Sequence, residues 1–171
     1  PMATGVLVLG VEKATKLLGH LALTEKEYLG TIRLGQTTLT DDAEGEIIAS
    51  VDASAVTRDA VDAGIAKLTG DIMQVPSKVS AIKIDGRRAY ALARQGETVE
   101  LAPRAVQVLE LELLRLETPR LRCELHVSKG YYVRSLARDV GMHLGLPAHL
   151  SGLRRLASGP FRIEQAIRWP R

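Results

Sequence analysis

Two short segments combine aromatic and cationic side chains in a way that suits contact with nucleic acid. They are SKGYYVR, residues 128–134, and LRRL, residues 153–156. Aromatic faces can stack on unstacked bases while Lys and Arg neutralise phosphates, as looped or single-stranded RNA requires. Spacing alone is a weak signal, because a tyrosine pair at a helix start is more often a packing feature and a charge run is more often a solvated face.

Tyr28 is a further aromatic candidate, in the segment KEYLGTIRLG. Residues of this segment alternate, with Tyr28, Gly30, Ile32 and Leu34 on one side, which predicts a strand. From this pattern alone, Tyr28 is interpreted as a core tyrosine whose hydroxyl is satisfied.

Several common chemistries have no counterpart in the sequence. It contains no GxGxxG, P-loop, HExxH or Ser/His/Asp arrangement, and its four histidines show no metal-ligand spacing. The lone Cys123 excludes an internal disulfide and a cysteine-based metal cluster, which favours a reducing compartment. Apolar runs are far shorter than the roughly 20 residues that span a bilayer, so we expect a cytoplasmic protein with neither membrane nor metal.

Charge and composition permit a nucleic-acid partner. The 171 residues are 46% apolar and 25% charged, with a net charge of +3, which is ordinary for one globular domain. Basic residues cluster beyond Arg120, whereas residues 37–71 are acidic, so one face is expected to carry the positive charge.

Periodicity predicts interspersed strands and helices in the first half of the chain. ATGVLVLG is predicted to form a strand that leads into a helix, and TTLTDDAEG, residues 37–45, is predicted to connect two strands. Thr57 is expected to cap a helix that buries Val61, Ile65 and Leu68 and ends near Gly70.

The second half continues this mixture. VSAIKI is predicted to be a strand that turns at Asp85 and Gly86, followed by a helix over RRAYALARQG. A strand within residues 105–116 alternates poorly, which indicates a bulge. The next strand has one apolar side, formed by Leu121, Cys123, Leu125 and Val127. The helix after SKG also has one apolar side, formed by Val133, Leu136, Val140 and Leu144. The fold class is therefore α+β, with a mixed, largely antiparallel sheet flanked by helices.

Five segments, in order along the chain, carry a more specific pattern: PMATGVLVLGVEKATK, KEYLGTIRLGQTTLTDDAEG, QVPSKVSAIKIDGRRAYALARQGE, SKGYYVRSLARDVG and AHLSGLRRLASGPF. They resemble, respectively, the motifs GxLDPxATGxLxxxxGxATK, KxYxxxxxLGxxTxTxDxxG, QxPPxxSAxKxxGxxxYxxAReG, SKGTYxRxLxxDLG and AHxxxLRRxxxGxF of the TruB family of pseudouridine synthases. Ser77 stands where the third motif has a second proline.

The resemblance implies the pseudouridine synthase catalytic fold and the isomerisation of uridine 55 in the T-loop of transfer RNA. It implies no cofactor and no metal, and binding to the T-stem-loop. A monomer is the default expectation. In the first motif the catalytic aspartate immediately precedes the proline that is Pro1 here. We therefore expect residues 1–171 to be a catalytic domain without its N-terminal part, without a C-terminal RNA-binding domain, and inactive alone.

Family positions carry over residue by residue. Arg134 matches the arginine that pairs with the catalytic aspartate, and Tyr28 matches the tyrosine that stacks on the extruded base. Tyr132 and Leu153 match positions that line the pocket, and Lys83 matches a lysine near the site. Candidates for phosphate contacts are Lys129, Arg154, Arg155, Arg87 and Arg88.

Two other interpretations stay open. One is a guide-RNA-dependent pseudouridine synthase of the dyskerin type, which shares the core motifs. The other is a binding protein that remodels transfer RNA without chemistry. Asp42 and its neighbouring acids are expected to shape their turn, because a second carboxylate would repel the RNA backbone.

Overall fold

The computed structural model describes residues 2–77, 101–168 and 170, together with the backbone of residues 83–84 and 87–88. The strands are β1 (Thr4–Gly5), β2 (Lys26–Leu34), β3 (Gln36–Thr38), β4 (Ile47–Ser50), β5 (Gly70–Gln74), β6 (Lys83–Ile84), β7 (Arg87–Arg88), β8 (Arg104–Glu117), β9 (Arg120–Val127), β10 (Ala148–Ser158) and β11 (Phe161–Arg162). The helices are α1 (Leu18–Leu21), α2 (Arg58–Lys67) and α3 (Val133–Leu144), and the 3-10 turns are Glu12–Leu17 and Ile163–Gln165.

Seven of these strands form one sheet in the order β1-β10-β2-β9-β8-β5, with β11 paired to β10. Among the described pairs, β1 runs parallel to β10, and the remaining pairs in this sheet are antiparallel. Strands β3 and β4 form a separate hairpin, as do β6 and β7. The predicted fold class, α+β with a mixed and largely antiparallel sheet, is confirmed.

The core lies between the sheet and helices α2 and α3. Side chains alternate along a strand, so β9 turns Leu121, Cys123, Leu125 and Val127 inward and leaves Arg122 exposed. The apolar side chains that α3 buries join the same cluster; they are Val133, Leu136, Ala137 and Val140. Burying each large aliphatic side chain stabilises the fold by roughly 1.5–3 kcal/mol.

The ends of the helices follow the predicted signals. Thr57 accepts a hydrogen bond from the Ala60 amide at 3.2 Å and so begins α2. Gly145 follows α3 with a φ of 69°, in the left-handed region that glycine adopts without strain. Strand β8 has register shifts at Val108/Glu110 and Leu113/Arg115, which confirms the predicted bulge.

Two predictions about local structure are wrong. In ATGVLVLG only Thr4–Gly5 is a strand, and Leu7 and Leu9 are exposed, because pairing with β10 does not continue past Val6. Arg87–Arg88 pairs with Lys83–Ile84 as a strand and does not begin a helix. The rest of that predicted helix lies outside the described residues.

Candidate active site

Arg134 lies in the first turn of α3, and its guanidinium meets a carboxylate from a distant turn. Its Nε is 3.3 Å from Oδ2 of Asp42. The Asp42 side chain is only 4% exposed, whereas that of Arg134 is 39% exposed. The ion pair compensates the buried carboxylate, and more than a third of the Arg134 side chain stays exposed.

Asp42 is itself held by its own turn. Its Oδ1 accepts hydrogen bonds from Thr40 Oγ1 at 2.6 Å and from the Glu44 amide at 3.0 Å. The Leu150 amide donates to the Asp41 carbonyl at 2.9 Å, which fastens the turn to β10. The turn-shaping role predicted for Asp42 is therefore confirmed, and its ion pair with Arg134 is an addition that the sequence analysis did not foresee.

Tyr28 lies on β2 between Leu125 of β9 and Arg155 of β10. It is partly buried and packs against the core cluster that α3 also joins, so it lies on the helix-bearing face of the sheet. Burial raises the pKa of the Tyr28 hydroxyl, and the adjacent Arg155 guanidinium opposes that rise through its charge and a hydrogen bond. The phenol is consequently protonated at neutral pH.

Arg155 connects Tyr28 to the N-terminal strand. Its Nε donates to the Val6 carbonyl at 2.8 Å, and its carbonyl accepts from the Val6 amide at 2.9 Å. Gly5 has a φ of 95°, and a Cβ there would lie 2.1 Å from the Arg155 oxygen, so this close approach requires glycine. Gly5, Arg155, Tyr28 and Leu125 thus form one row across four strands.

The N-terminal strand and the Asp42 turn share one edge of β10. Thr4 pairs with Arg154 in parallel, and Asp42 forms an isolated parallel bridge with Leu150. Because β1 is parallel to β10, the chain traced from Thr4 towards its N-terminus runs towards Leu150. Arg154 and Leu150 are about 13 Å apart along the strand, at roughly 3.3 Å per residue.

The other described candidate residues lie on β10 or in the segment that leads into α3. Tyr132 is the half-buried residue that precedes α3, and Leu153 pairs with Gly30 and packs against the core. Lys129 is exposed in the loop that precedes Tyr132. Arg154 is exposed and pairs with Leu29, so it belongs to the face opposite Tyr28 and Arg155.

The side chains of Lys83, Arg87 and Arg88 lie outside the described residues, although their backbones pair as β6 and β7. Sequence reasoning missed two residues that contact this site. One is Asp42, which was assigned only to its turn, and the other is Gln74, the first residue of the third motif, whose amide bonds the Tyr132 backbone.

Within the described part of the chain, no group of three or more His, Cys, Asp or Glu side chains is arranged to hold a metal ion. The same residues include no helix that is long and apolar enough to cross a membrane.

Comparison with known proteins assigns the chain to a family. Residues 1–133 match the family described as TruB family pseudouridylate synthase (N terminal domain). Proteins named tRNA pseudouridine synthase B are 63% identical in Streptomyces avermitilis and 59% identical in Rhodococcus jostii, each over 97% of this chain. The chain therefore belongs to the TruB family of pseudouridylate synthases, as the sequence motifs predicted. It spans 58% and 56% of the length of these two relatives.

Solved structures share the fold. A Cbf5–Nop10–Gar1 complex contains a chain that is 28% identical, with a TM-score of 0.66, over 94% of this chain and 38% of its own. An H/ACA ribonucleoprotein bound to a substrate RNA containing 2'-deoxyuridine contains one that is 26% identical, with a TM-score of 0.59, over 89% of this chain and 34% of its own.

Proposed function

We propose that this chain is the catalytic domain of an enzyme that isomerises uridine 55 in the T-loop of transfer RNA to pseudouridine. Membership of the family and the names of the relatives support this activity. In the reaction the bond from ribose C1′ to N1 of uracil breaks, the base turns, and C1′ bonds to C5. The proton on C5 leaves and N1 gains one, so the atoms balance without a redox step.

The observation that carries the proposal is the Arg134–Asp42 ion pair at the edge of β10 towards which the N-terminal motif runs. The proposed aspartate immediately before Pro1 would meet the exposed part of Arg134 there. A guanidinium at that place favours the ionised carboxylate and fixes its orientation. Asp42, buried on the other side of Arg134, would hold the guanidinium while staying away from the RNA.

Tyr28 supplies a flat surface for the target base. A uridine stacked inside a folded T-loop must be turned out of the stack before a carboxylate reaches its glycosidic bond. Tyr28 would then replace the lost stacking, with Tyr132 and Leu153 as further walls of the pocket. That Tyr28 lies on the face of the sheet that carries α3 supports this role.

Phosphate contacts are proposed for Arg155, Lys129, Arg87 and Arg88, and Lys83 is proposed to lie near the site. Arg154 is a weaker candidate because its side chain belongs to the opposite face of β10. Binding that neutralises phosphates weakens as salt concentration rises, because each counterion released from the RNA gains less entropy in a more concentrated salt solution.

The test measures T-loop pseudouridine by chemical labelling and mass spectrometry in the full-length protein. We expect Arg134→Ala to slow turnover by about a thousandfold, the scale for losing a preorganised cationic or donor group at a reaction centre. Arg58→Ala is the matched control, because Arg58 forms an exposed ion pair with Asp62 at 3.8 Å. Near-normal product from Arg134→Ala would refute the role of Arg134.

A second comparison tests the expected aspartate. The chain of residues 1–171 alone should form no pseudouridine, whereas a protein that adds the aspartate-bearing segment before Pro1 should be active on bare transfer RNA. Activity that appears only with an added guide RNA would instead favour the dyskerin-type interpretation. RNA binding without product in both proteins would favour a remodelling protein.

A further inference from the structure

The side chain of Gln74, the last residue of β5, hydrogen-bonds the backbone at the start of α3. Its Nε2 donates to the Tyr132 carbonyl at 3.0 Å, and its Oε1 accepts from the Tyr132 amide at 2.9 Å. The side chain is only 2% exposed. A side-chain amide that satisfies both polar groups of one residue acts as a neighbouring strand would, and it fixes the orientation of that peptide.

The start of α3 depends on this contact more than an ordinary helix start does. Tyr132 precedes the helix in an extended conformation, and its side chain makes no capping hydrogen bond. Helices usually begin at a Ser, Thr, Asp or Asn whose side chain fixes the entry of the chain. Here Gln74, from a different element, supplies that constraint two residues before Arg134.

The residues that follow Gln74 contact the helix that carries Arg134 and the turn that carries Asp42. Arg138 of α3 donates from Nη2 to the Val75 carbonyl at 2.7 Å. The buried Ser77 donates from Oγ to Oδ2 of Asp41 at 3.3 Å, in the turn that carries Asp42. Gln74–Ser77 therefore braces the helix that carries Arg134 and the turn that carries Asp42.

We propose that Gln74 is a positioning residue, which sets the approach of Arg134 to Asp42 by clamping the Tyr132 backbone. The inference rests on the proposed catalytic function of Arg134. It assigns to Gln74 an effect on the chemical step and none on RNA affinity, because Gln74 is buried and cannot itself reach the substrate.

A residue that merely packs in the core would behave differently. Burying a side-chain amide is more costly than burying an aliphatic group unless both amide atoms are bonded. Methionine fills nearly the same volume but leaves the Tyr132 amide and carbonyl without the amide partner, and glutamate keeps the acceptor but loses the donor. All such variants would lose stability, so stability alone cannot decide between the two roles.

The experiment uses the full-length protein under single-turnover conditions with saturating T-stem-loop RNA. Gln74→Met is expected to lower the rate of the chemical step at least tenfold, with RNA affinity within about twofold of wild type, and Gln74→Glu to lower it less. Hydrogen exchange at the Tyr132 amide should accelerate in Gln74→Met. Val108→Ala, a buried change in β8, is the control that loses stability and retains the rate per folded molecule.

A double variant separates the inference from the function on which it rests. If Gln74 acts through Arg134, then Gln74→Met combined with Arg134→Lys should be no more than about twofold slower than Arg134→Lys alone. Effects that multiply, or a wild-type rate in Gln74→Met while Arg134→Ala is inactive, would overturn the inference about Gln74 only. A normal rate in Arg134→Ala would overturn the proposed function of Arg134 itself.

Discussion

The two residues on which the proposed chemistry depends have opposite relations to burial. Arg134 keeps more than a third of its side chain exposed although it pairs with a buried carboxylate, whereas Tyr28 lies within a strand and packs against the core. A positively charged group at the rim can orient an anion, and a partly buried ring can receive a base. Their difference in exposure fits the proposed extraction of one nucleotide.

The Tyr28 hydroxyl can be tested separately from its ring. Tyr28→Phe keeps the stacking surface, so RNA affinity should stay within about twofold of wild type in a fluorescence anisotropy titration. Because burial raises its pKa, the wild-type phenol holds its proton at neutral pH and can donate or relay it. Removing it should slow turnover by roughly tenfold or more.

A matched control exists at Tyr131, a tyrosine of the core cluster against which Tyr28 packs. Tyr131 has a buried hydroxyl without a hydrogen-bond partner among the described residues, although the Gln74 amide lies nearby. Tyr131→Phe should leave turnover and stability close to wild type, because removing an unpartnered polar group costs little. Unchanged turnover in Tyr28→Phe would return Tyr28 to the role of an ordinary core tyrosine.

At the scale of elements, prediction succeeded where one face is buried and the period is regular. Strand β9 and helix α3 each bury one continuous side, so their patterns are clean. Strand β10 was not predicted, because register shifts at Leu150/Gly152 and Arg155/Ala157 interrupt its alternation. The strand predicted over the apolar N-terminal run was wrong for a different reason. Hydrophobicity does not show that only two residues of the run pair with another strand.

The site was less predictable than the fold. Tyr28 and Arg134 were identified through the resemblance, and the pattern of β2 alone favoured a core role for Tyr28. Gln74 is the first residue of the third motif, but no role followed from that match, because a sequence does not show which distant backbone a buried amide will meet. Contacts between residues far apart in the chain, such as Arg134 with Asp42, can be predicted only when the order of strands in the sheet is known.

The junction of β1 with β10 gives a prediction at this scale. Gly5→Ala should detach β1, because the new Cβ would lie 2.1 Å from the Arg155 oxygen at a φ of 95°. The Val6 amide, which donates to that oxygen at 2.9 Å, should then exchange its hydrogen at least tenfold faster.

Gly19→Ala is the control, because nothing lies within 4 Å of its added Cβ and it is part of α1. It should leave exchange at Val6 unchanged and alter stability by no more than about 1 kcal/mol. Equal exchange at Val6 in the two variants would contradict the requirement for glycine at Gly5.

For the whole molecule, the two faces of the sheet have different tasks. The helix-bearing face holds the core together with Tyr28, whereas the opposite face of β9 presents the exposed charges of Arg120, Arg122 and Glu124. The core cluster therefore both stabilises the fold and supports the candidate site, so global unfolding and loss of that site should coincide. Groups that titrate inside the core link this stability to pH.

Cys123 is the clearest such group, because burial raises the pKa of its thiol to about 12 from an ordinary value of 9.0. The unfolded chain then loses this proton at a lower pH than the folded chain, so stability falls as pH rises from about 9 to about 12. The loss would reach at most about 4 kcal/mol, at roughly 1.4 kcal/mol per pKa unit. In urea unfolding followed by circular dichroism, Cys123→Val should match wild type at neutral pH within about 1.5 kcal/mol and lose less stability above pH 9. The free energy of unfolding of Val108→Ala should lie below that of wild type by the same amount at every pH. If the stability of Cys123→Val falls with pH as steeply as that of wild type, the thiol does not cause the alkaline loss.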